Sequence, residues 1–237
     1  MTKTSIALTS LAVCGALFAG ACSSSSDDGG SGGKGGGGSS GAACSNPDKV
    51  EFSSGAATCA MSGWGWIALG ALDTATDPNC GGTPITHDNA CLTSTTWNAT
   101  DALCITGSIP ALPTQPVQKD YDDNWGVEVG VDATVTKGEP IGKPYTAIAV
   151  EVTGSPLTGL RVELHKAGDP VATTYCANYK SGPLALTSFN TACWDNTGNT
   201  FAAADAPNID KVGIQVSATQ SAITVTNLCM KSITFGK

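Results

Sequence analysis

Basic residues are scarce in this 237-residue chain: twelve Lys and Arg stand against twenty Asp and Glu, and nowhere do they cluster. That excludes nucleic acid as a partner, because phosphate binding needs concentrated positive charge. Histidine occurs only at His87 and His165, so a His-Glu-x-x-His metal site cannot be built, and no Gly-x-Ser-x-Gly segment stands between a strand and a helix. None of the ten cysteines is spaced Cys-x-x-Cys, the pairing that a structural zinc site uses. Helical periodicity is nearly absent. No apolar run reaches the roughly 20 residues that a membrane-spanning helix requires.

What is present begins with an export signal. Met1-Thr-Lys3 is a short positive start, and a mostly apolar stretch from Ile6 to Phe18 follows it. The stretch ends in Ala19-Gly20-Ala21-Cys22, small residues of the kind a signal peptidase cleft accepts. These residues resemble the lipobox of bacterial lipoproteins, with Ala19 where leucine is usual. The resemblance implies that residues 1–21 are a signal peptide and that Cys22 is the lipid-attachment residue. Ser23 rather than aspartate after that cysteine points to the outer membrane of a Gram-negative cell envelope.

From Ser23 to Ala43 the chain holds no apolar residue larger than alanine. Such a segment buries too little surface to offset its ordering entropy. Residues 22–43 therefore read as a flexible tether with a reach of roughly 25 Å. The remaining residues, 44–237, are of a size for a single domain with a substantial core.

Eight cysteines fall in that domain: Cys44, Cys59, Cys80, Cys91, Cys104, Cys176, Cys193 and Cys229. An even number in an exported chain reads as disulfides. One pair is expected, Cys176 with Cys193, closing the loop between two late strands.

Short alternating segments separated by Gly-Pro turn chemistry recur through the domain. Strands are expected at 64–69, 102–107, 125–131, 146–152, 160–165, 211–216, 223–225 and 232–235. Clean alternation buries one face of a sheet and leaves the other polar, the pattern of antiparallel sheets. The predicted fold is all-β, an antiparallel β-sandwich (jelly roll) stapled by disulfides.

Several runs carry a family likeness: Asn124-Trp-Gly126, Gly142-Lys-Pro144-Tyr145-Thr-Ala-Ile148, Leu160-Arg-Val162, Leu186 to Asp195 with its Phe189…Cys193-Trp194, Ile209 to Val216, and the closing Leu228 to Phe235. Across residues 101–235 the chain resembles the galactose-binding-like jelly rolls of many carbohydrate-binding modules. The resemblance implies a non-catalytic module whose partner is a polysaccharide or cell-surface glycan. It also brings a structural calcium into question. Where such modules open with an acidic strand, this chain has Lys49-Val-Glu51-Phe52, with only Glu51 and Asp48 offering oxygen ligands. No other cofactor or metal is expected.

If the apolar positions face the core, then Glu128, Glu151, Arg161, Glu163, His165 and Gln215 face outward together. Sugars are held by planar polar side chains and by aromatic rings that stack on their C–H faces. The candidate ligand-binding residues are accordingly Arg161, Glu163, His165 and Gln215, with Trp66 and Tyr175 for stacking. Trp125 and Trp194 are expected in the core. A carboxylate pair among Glu128, Glu151 and Glu163 would be the minimum for glycoside hydrolysis. Any sandwich offers such pairs by chance, so no catalytic residue is assigned. The alternatives to a sugar-binding lipoprotein are a structural or adhesion envelope protein that binds protein, and a small glycan hydrolase.

Overall fold

The computed structural model describes residues 44–69, 101–109, 111–117, 125–170 and 172–237. All of them belong to one compact unit running from Ala42 to Lys237. The signal, Cys22, the tether, Cys80 and Cys91 lie outside the described residues.

The first strands, β1 (Lys49–Ser53) and β2 (Ala56–Cys59), form a two-residue hairpin. Its turn residues Ser54 and Gly55 have φ of 50° and 83°. Positive φ at both central positions gives a turn whose twist matches the flanking strands. Next come β3 (Gly65–Leu69), β4 (Leu103–Ile109), β5 (Gly126–Asp132), β6 (Ala147–Ser155), β7 (Leu160–Lys166), β8 (Tyr175–Asn178) and β9 (Leu184–Ala185). Two short 3-10 turns, Leu186–Ser188 and Ala203–Asn208, precede β10 (Ile209–Ser217) and β11 (Ile223–Gly236).

These strands make two antiparallel sheets. One has the order β2-β1-β11-β6-β9, with β4 also paired to β11; the other has the order β3-β5-β10-β7-β8. From β5 onward the chain crosses repeatedly between the sheets, apart from the β7–β8 hairpin within the five-stranded one, giving the interleaving of a jelly roll. The predicted β-sandwich is the observed architecture.

Alternation decides what lies between the sheets. Val127, Val129 and Val131 of β5, Val162 and Leu164 of β7, and Val212, Ile214 and Val216 of β10 turn inward from the five-stranded sheet. They meet Ile105, Ile148, Val150, Ile233 and Phe235 from the other. Three disulfides are present among the described residues: Cys44–Cys59, Cys104–Cys229 and Cys176–Cys193. The last is the pair expected from the sequence. Cys104 and Cys229 sit directly opposite each other on β4 and β11.

The sequence suggests separate strands at 223–225 and 232–235, whereas β11 is one strand of 14 residues. Its register shifts between Val225 and Leu228 and again between Met230 and Ser232. Those irregularities break the period of two that would have marked a single strand. Asn227, at φ 44°, sits in the first of them.

Near the start of β1, Asp48 is already engaged. Lys237 Nζ pairs with its Oδ2 at 2.9 Å, and the Tyr145 hydroxyl donates to its Oδ1 at 3.0 Å. The other acidic group there, Glu51, pairs with Lys49. Among the described residues no group of three or more His, Cys, Asp or Glu is placed to hold a metal ion.

Gly154, at φ 93°, faces the β11 irregularity so closely that a Cβ would collide with the Asn227 carbonyl. Gly154→Ala should therefore lower stability by more than about 1 kcal/mol in urea unfolding, since both the backbone conformation and the space are incompatible. An unchanged midpoint would mean that this crossing is not tightly packed.

Candidate functional site

The outward face of the five-stranded sheet follows from its register. One row crosses all five strands: Trp66, Gly130, Gly213, Glu163 and Cys176 are successive partners. The adjacent row is Ala68, Glu128, Gln215, Arg161 and Asn178. A third aligns Asp132, Lys211 and His165. Arg161, Glu163, His165, Gln215, Glu128 and Trp66 are thus brought together on one face.

Two expected members are not. Glu151 lies on β6, in the other sheet, where Ser232 Oγ donates to its Oε2 at 3.0 Å. There it borders a separate open groove of about 280 Å³ with Lys49, Tyr179 and Thr234. Tyr175 pairs with Leu164 and so turns inward, edge-on against Phe201 with ring centroids 5.1 Å apart. It is a core residue and offers no stacking surface. His165 is on the face but occupied: Nδ1 meets Asp210 Oδ1 at 2.6 Å, and Nε2 lies 3.2 Å from the Pro170 carbonyl oxygen. At 6% exposure it fastens β7 to its surroundings.

Gly130 and Gly213 oppose each other in the two strands at the middle of the face. A Cβ at Gly130 would collide with the Trp66 indole, and one at Gly213 with the Glu128 carboxylate. The indole and the carboxylate thus fill the space that side chains at these two positions would take. Glycine inside a strand often marks such a close approach. Glu163 is the next residue across from Gly213 and is only 5% exposed. The two glutamates therefore stand on either side of β10.

Their surroundings are unusual for carboxylates. Neither accepts a hydrogen bond among the described residues, whereas Gln215 Oε1 accepts from Arg161 at 3.3 Å and from Ser217 at 3.0 Å. Burial raises the Glu163 carboxyl to about 7 against the downward pull of Arg161. Burial, then the charge of Glu163, raises Glu128 well above the ordinary range, with Lys211 pulling the other way. Carboxyls set this close titrate as a pair rather than singly. Beside them the Trp66 indole nitrogen is sealed from solvent without a hydrogen-bond partner. Among the described residues the sole sealed, unpartnered side-chain oxygen is Asp132 Oδ1, so the Glu128 and Glu163 oxygens still reach solvent space.

At the β7–β8 side stands the residue the sequence misplaced. Trp194, expected in the core, is 63% exposed, with the Arg161 guanidinium carbon 5.6 Å from its ring centre. Its loop is tied at every level. The Cys176–Cys193 bond anchors the residue before it to β8, and the Cys193 amide donates to Cys176 Sγ. Asn190 Oδ1 accepts from the Ala192 amide at 2.8 Å, and Asp195 Oδ1 accepts from the Thr197 amide and hydroxyl. The base closes through Thr191 and Asn199. Trp194 is thereby presented to solvent on a fixed turn, a position that costs apolar exposure without gaining packing. Trp125 is half-buried at the start of β5, where Gly126 at φ 113° interrupts the alternation.

The face thus combines planar polar groups (Arg161, Gln215), two carboxylates able to accept or hold protons, and indoles at both sides. The sequence places Glu128 outward, in a conceivable carboxylate pair but not among the ligand-binding candidates, and it assigns Trp194 to the core, where the structure does not put it. The signal for Trp194 was available in Asn190-Thr-Ala-Cys193-Trp194-Asp195-Asn196-Thr-Gly198, a run of turn-forming residues with no strand period to bury it.

The class that fold and face define is a disulfide-bonded antiparallel β-sandwich with a polar, tryptophan-flanked outer sheet. No protein-family model matches the chain, and no curated protein sequence does. Among solved structures, the glycoside hydrolase domain of Endo-D from Streptococcus pneumoniae R6 overlays on 74% of this chain at 11% identity and a TM-score of 0.29. The overlay spans 22% of that protein's chain, a likeness too slight to assign a fold or a chemistry.

The raised carboxyl pKa values have a stability consequence. A carboxyl whose pKa is higher in the folded than in the unfolded state stabilises fully below the unfolded value, and that contribution is lost as pH rises through the folded one. For Glu163 the window runs from the ordinary carboxylate range up to and beyond about 7. Glu163→Gln should match the parent in unfolding free energy near pH 4.5 and exceed it at pH 8 by roughly 2–3 kcal/mol. A difference that does not change with pH would show that Glu163 ionises freely in the folded protein.

Proposed function

We propose that this chain is a carbohydrate-binding lipoprotein, held at the cell envelope by lipid on Cys22 and displayed on its Gly/Ser tether. The outward face of the five-stranded sheet is its sugar site. One observation carries this reading: the exposed Trp194 ring, fixed by the Cys176–Cys193 loop and paired with Arg161, beside a row of hydrogen-bonding side chains. A singly exposed ring such as Trp64 would need no explanation, but Trp194 stands with Arg161 over its ring on the side of the polar row. A sugar ring needs that combination, with a flat apolar surface for its C–H face and fixed donors and acceptors for its hydroxyls. The likeness of residues 101–235 to galactose-binding-like jelly rolls supports the same conclusion.

A hydrolytic reading has one observation in its favour, the two carboxylates converging across β10. Release of new reducing ends from a bound polysaccharide would move the reading from binding to hydrolysis.

The test is binding of the purified, oxidised chain to a panel of soluble and insoluble polysaccharides. Binding to at least one class is expected. Trp194→Ala and Arg161→Ala should each weaken it by about tenfold or more, as anchoring aromatics and arginines do, with the melting temperature retained. Unchanged affinity in both variants would remove this face from the account. Failure of a folded chain to bind any glycan would favour an envelope protein that contacts other proteins.

A further inference from the structure

We infer that the groove on the outer face of the six-stranded sheet is a second glycan site, so that one domain holds two carbohydrate segments on its opposite faces. The inference rests on the sugar-binding reading above and extends it from one face to two.

The groove has its cause in the backbone. Strand β9 pairs only with Ala147 and Ile148 of β6. The residues before it are Pro183, which has no N–H to give a ladder, and Gly182, whose φ of 94° turns the chain aside. Beyond Ile148, segment 179–182 therefore stands off from β6 and becomes one wall of the groove. Thr234 pairs with Lys49 on one side and with Ala149 on the other, and Ser232 pairs with Glu151, so these outward side chains make the floor and the far wall. Val150 and Val152 also line the groove although their side chains are buried, so what they present to it is backbone. Among the described residues β11 is the only strand that pairs with either of them.

This lining suits a neutral, hydroxyl-rich ring. The hydroxyls of Tyr179, Ser181 and Thr234 make no hydrogen bond among the described residues. Tyr179 packs partly against the core, and its amide donates to the Leu160 carbonyl at 2.8 Å, so its ring is held beside the groove before any ligand arrives. The charged groups do not call for an ion. Lys49 already pairs with Glu51 at 3.2 Å, and Glu151 accepts from Ser232. A sugar hydroxyl both donates and accepts, which matches a lining that mixes backbone groups with side-chain hydroxyls. Small-ligand sites set a few such convergent polar groups against an aromatic wall. The volume of about 280 Å³ lies just under the roughly 300 Å³ at which drug-sized sites begin, room for a short stretch of glycan. The first face belongs to β5, β10 and β7, this one to β1, β11 and β6, and the core lies between them. A domain with a glycan on each bridges two polysaccharide chains.

The experiment counts the short oligosaccharides that saturate the purified full chain, using the sugar class bound in the polysaccharide panel, and follows turbidity when the chain is mixed with the corresponding soluble polymer. Two per chain are expected, with cross-linking that turns the mixture turbid. Trp194→Ala should leave one, held in the groove. Ala149→Gln, which fills the half-buried floor, should leave one, held at Trp194. Either variant should bind the polymer without cross-linking it, with the melting temperature retained. Tyr179→Phe removes only the hydroxyl and should weaken the groove component alone by about fivefold, the worth of one neutral hydrogen bond. A single oligosaccharide per chain that Trp194→Ala abolishes overturns the inference while leaving the sugar-binding reading in place. So does a second oligosaccharide whose affinity is unchanged in both folded groove variants. Absence of binding to every member of the panel overturns both.

Discussion

Gly130 and Gly213 face each other across the central strands of the five-stranded sheet, and the outer face is organised around the room they leave. On the inner side, the same strands carry Val129, Val131, Val212 and Ile214, which lock the register through burial. Because register is fixed from inside, the outer row is fixed too: wherever the valines go, the two glycines must meet. Strand glycines cost stability and pack nothing. Here their cost is offset by the indole and carboxylate that occupy the vacated space. The seating of both groups is thus a consequence of core packing read out on the opposite side of the sheet.

A second constraint works at the rim. Cys176 lies outward on β8 because its neighbours Tyr175 and Ala177 turn inward. Its bond to Cys193 then draws the loop Thr191–Asn199 back against the sheet, and Trp194 is the residue that follows. Side-chain caps from Asn190 and Asp195 remove most of the loop's remaining freedom. A stacking ring held in place before a ligand arrives loses little entropy on binding, which is where preorganised sites gain affinity. On the proposed reading, the disulfide serves recognition as much as stability.

Much of this was legible in the sequence, for reasons that also mark where legibility ends. Strands β5, β6, β7 and β10 announce themselves because Val-x-Val and Leu-x-Val-x-Leu runs have a period that only a half-buried strand satisfies. The outward placement of Arg161, Glu163, His165 and Gln215 follows from that period alone. Which outward residues meet is another matter. Glu128 and Glu163 converge because β10, far downstream, inserts between β5 and β7, and strand order is a non-local property that no local pattern encodes. The same ignorance put Glu151 with them, although β6 belongs to the other sheet. Tyr175 and Trp194 were exchanged for a simple reason: both are aromatic, and only the inward or outward phase of Cys176 decides which one is buried. His165 has the right chemistry for a ligand site, but Asp210 already holds it, and that contact spans 45 residues.

The central claim is that a glycan settles on the outer sheet between Trp66 and Trp194. The most direct measurement follows the indole N–H resonances of the five tryptophans by NMR, assigned by single Trp→Phe substitutions, as a soluble oligosaccharide of the class bound in the polysaccharide panel is titrated into the chain. The account predicts saturable shifts at Trp194, whose ring gains a stacked partner, and at Trp66, whose ring lies on the same face, with Trp125 essentially still. Saturable shifts confined to Trp64 or Trp125, or saturable binding that moves no indole resonance, would contradict it.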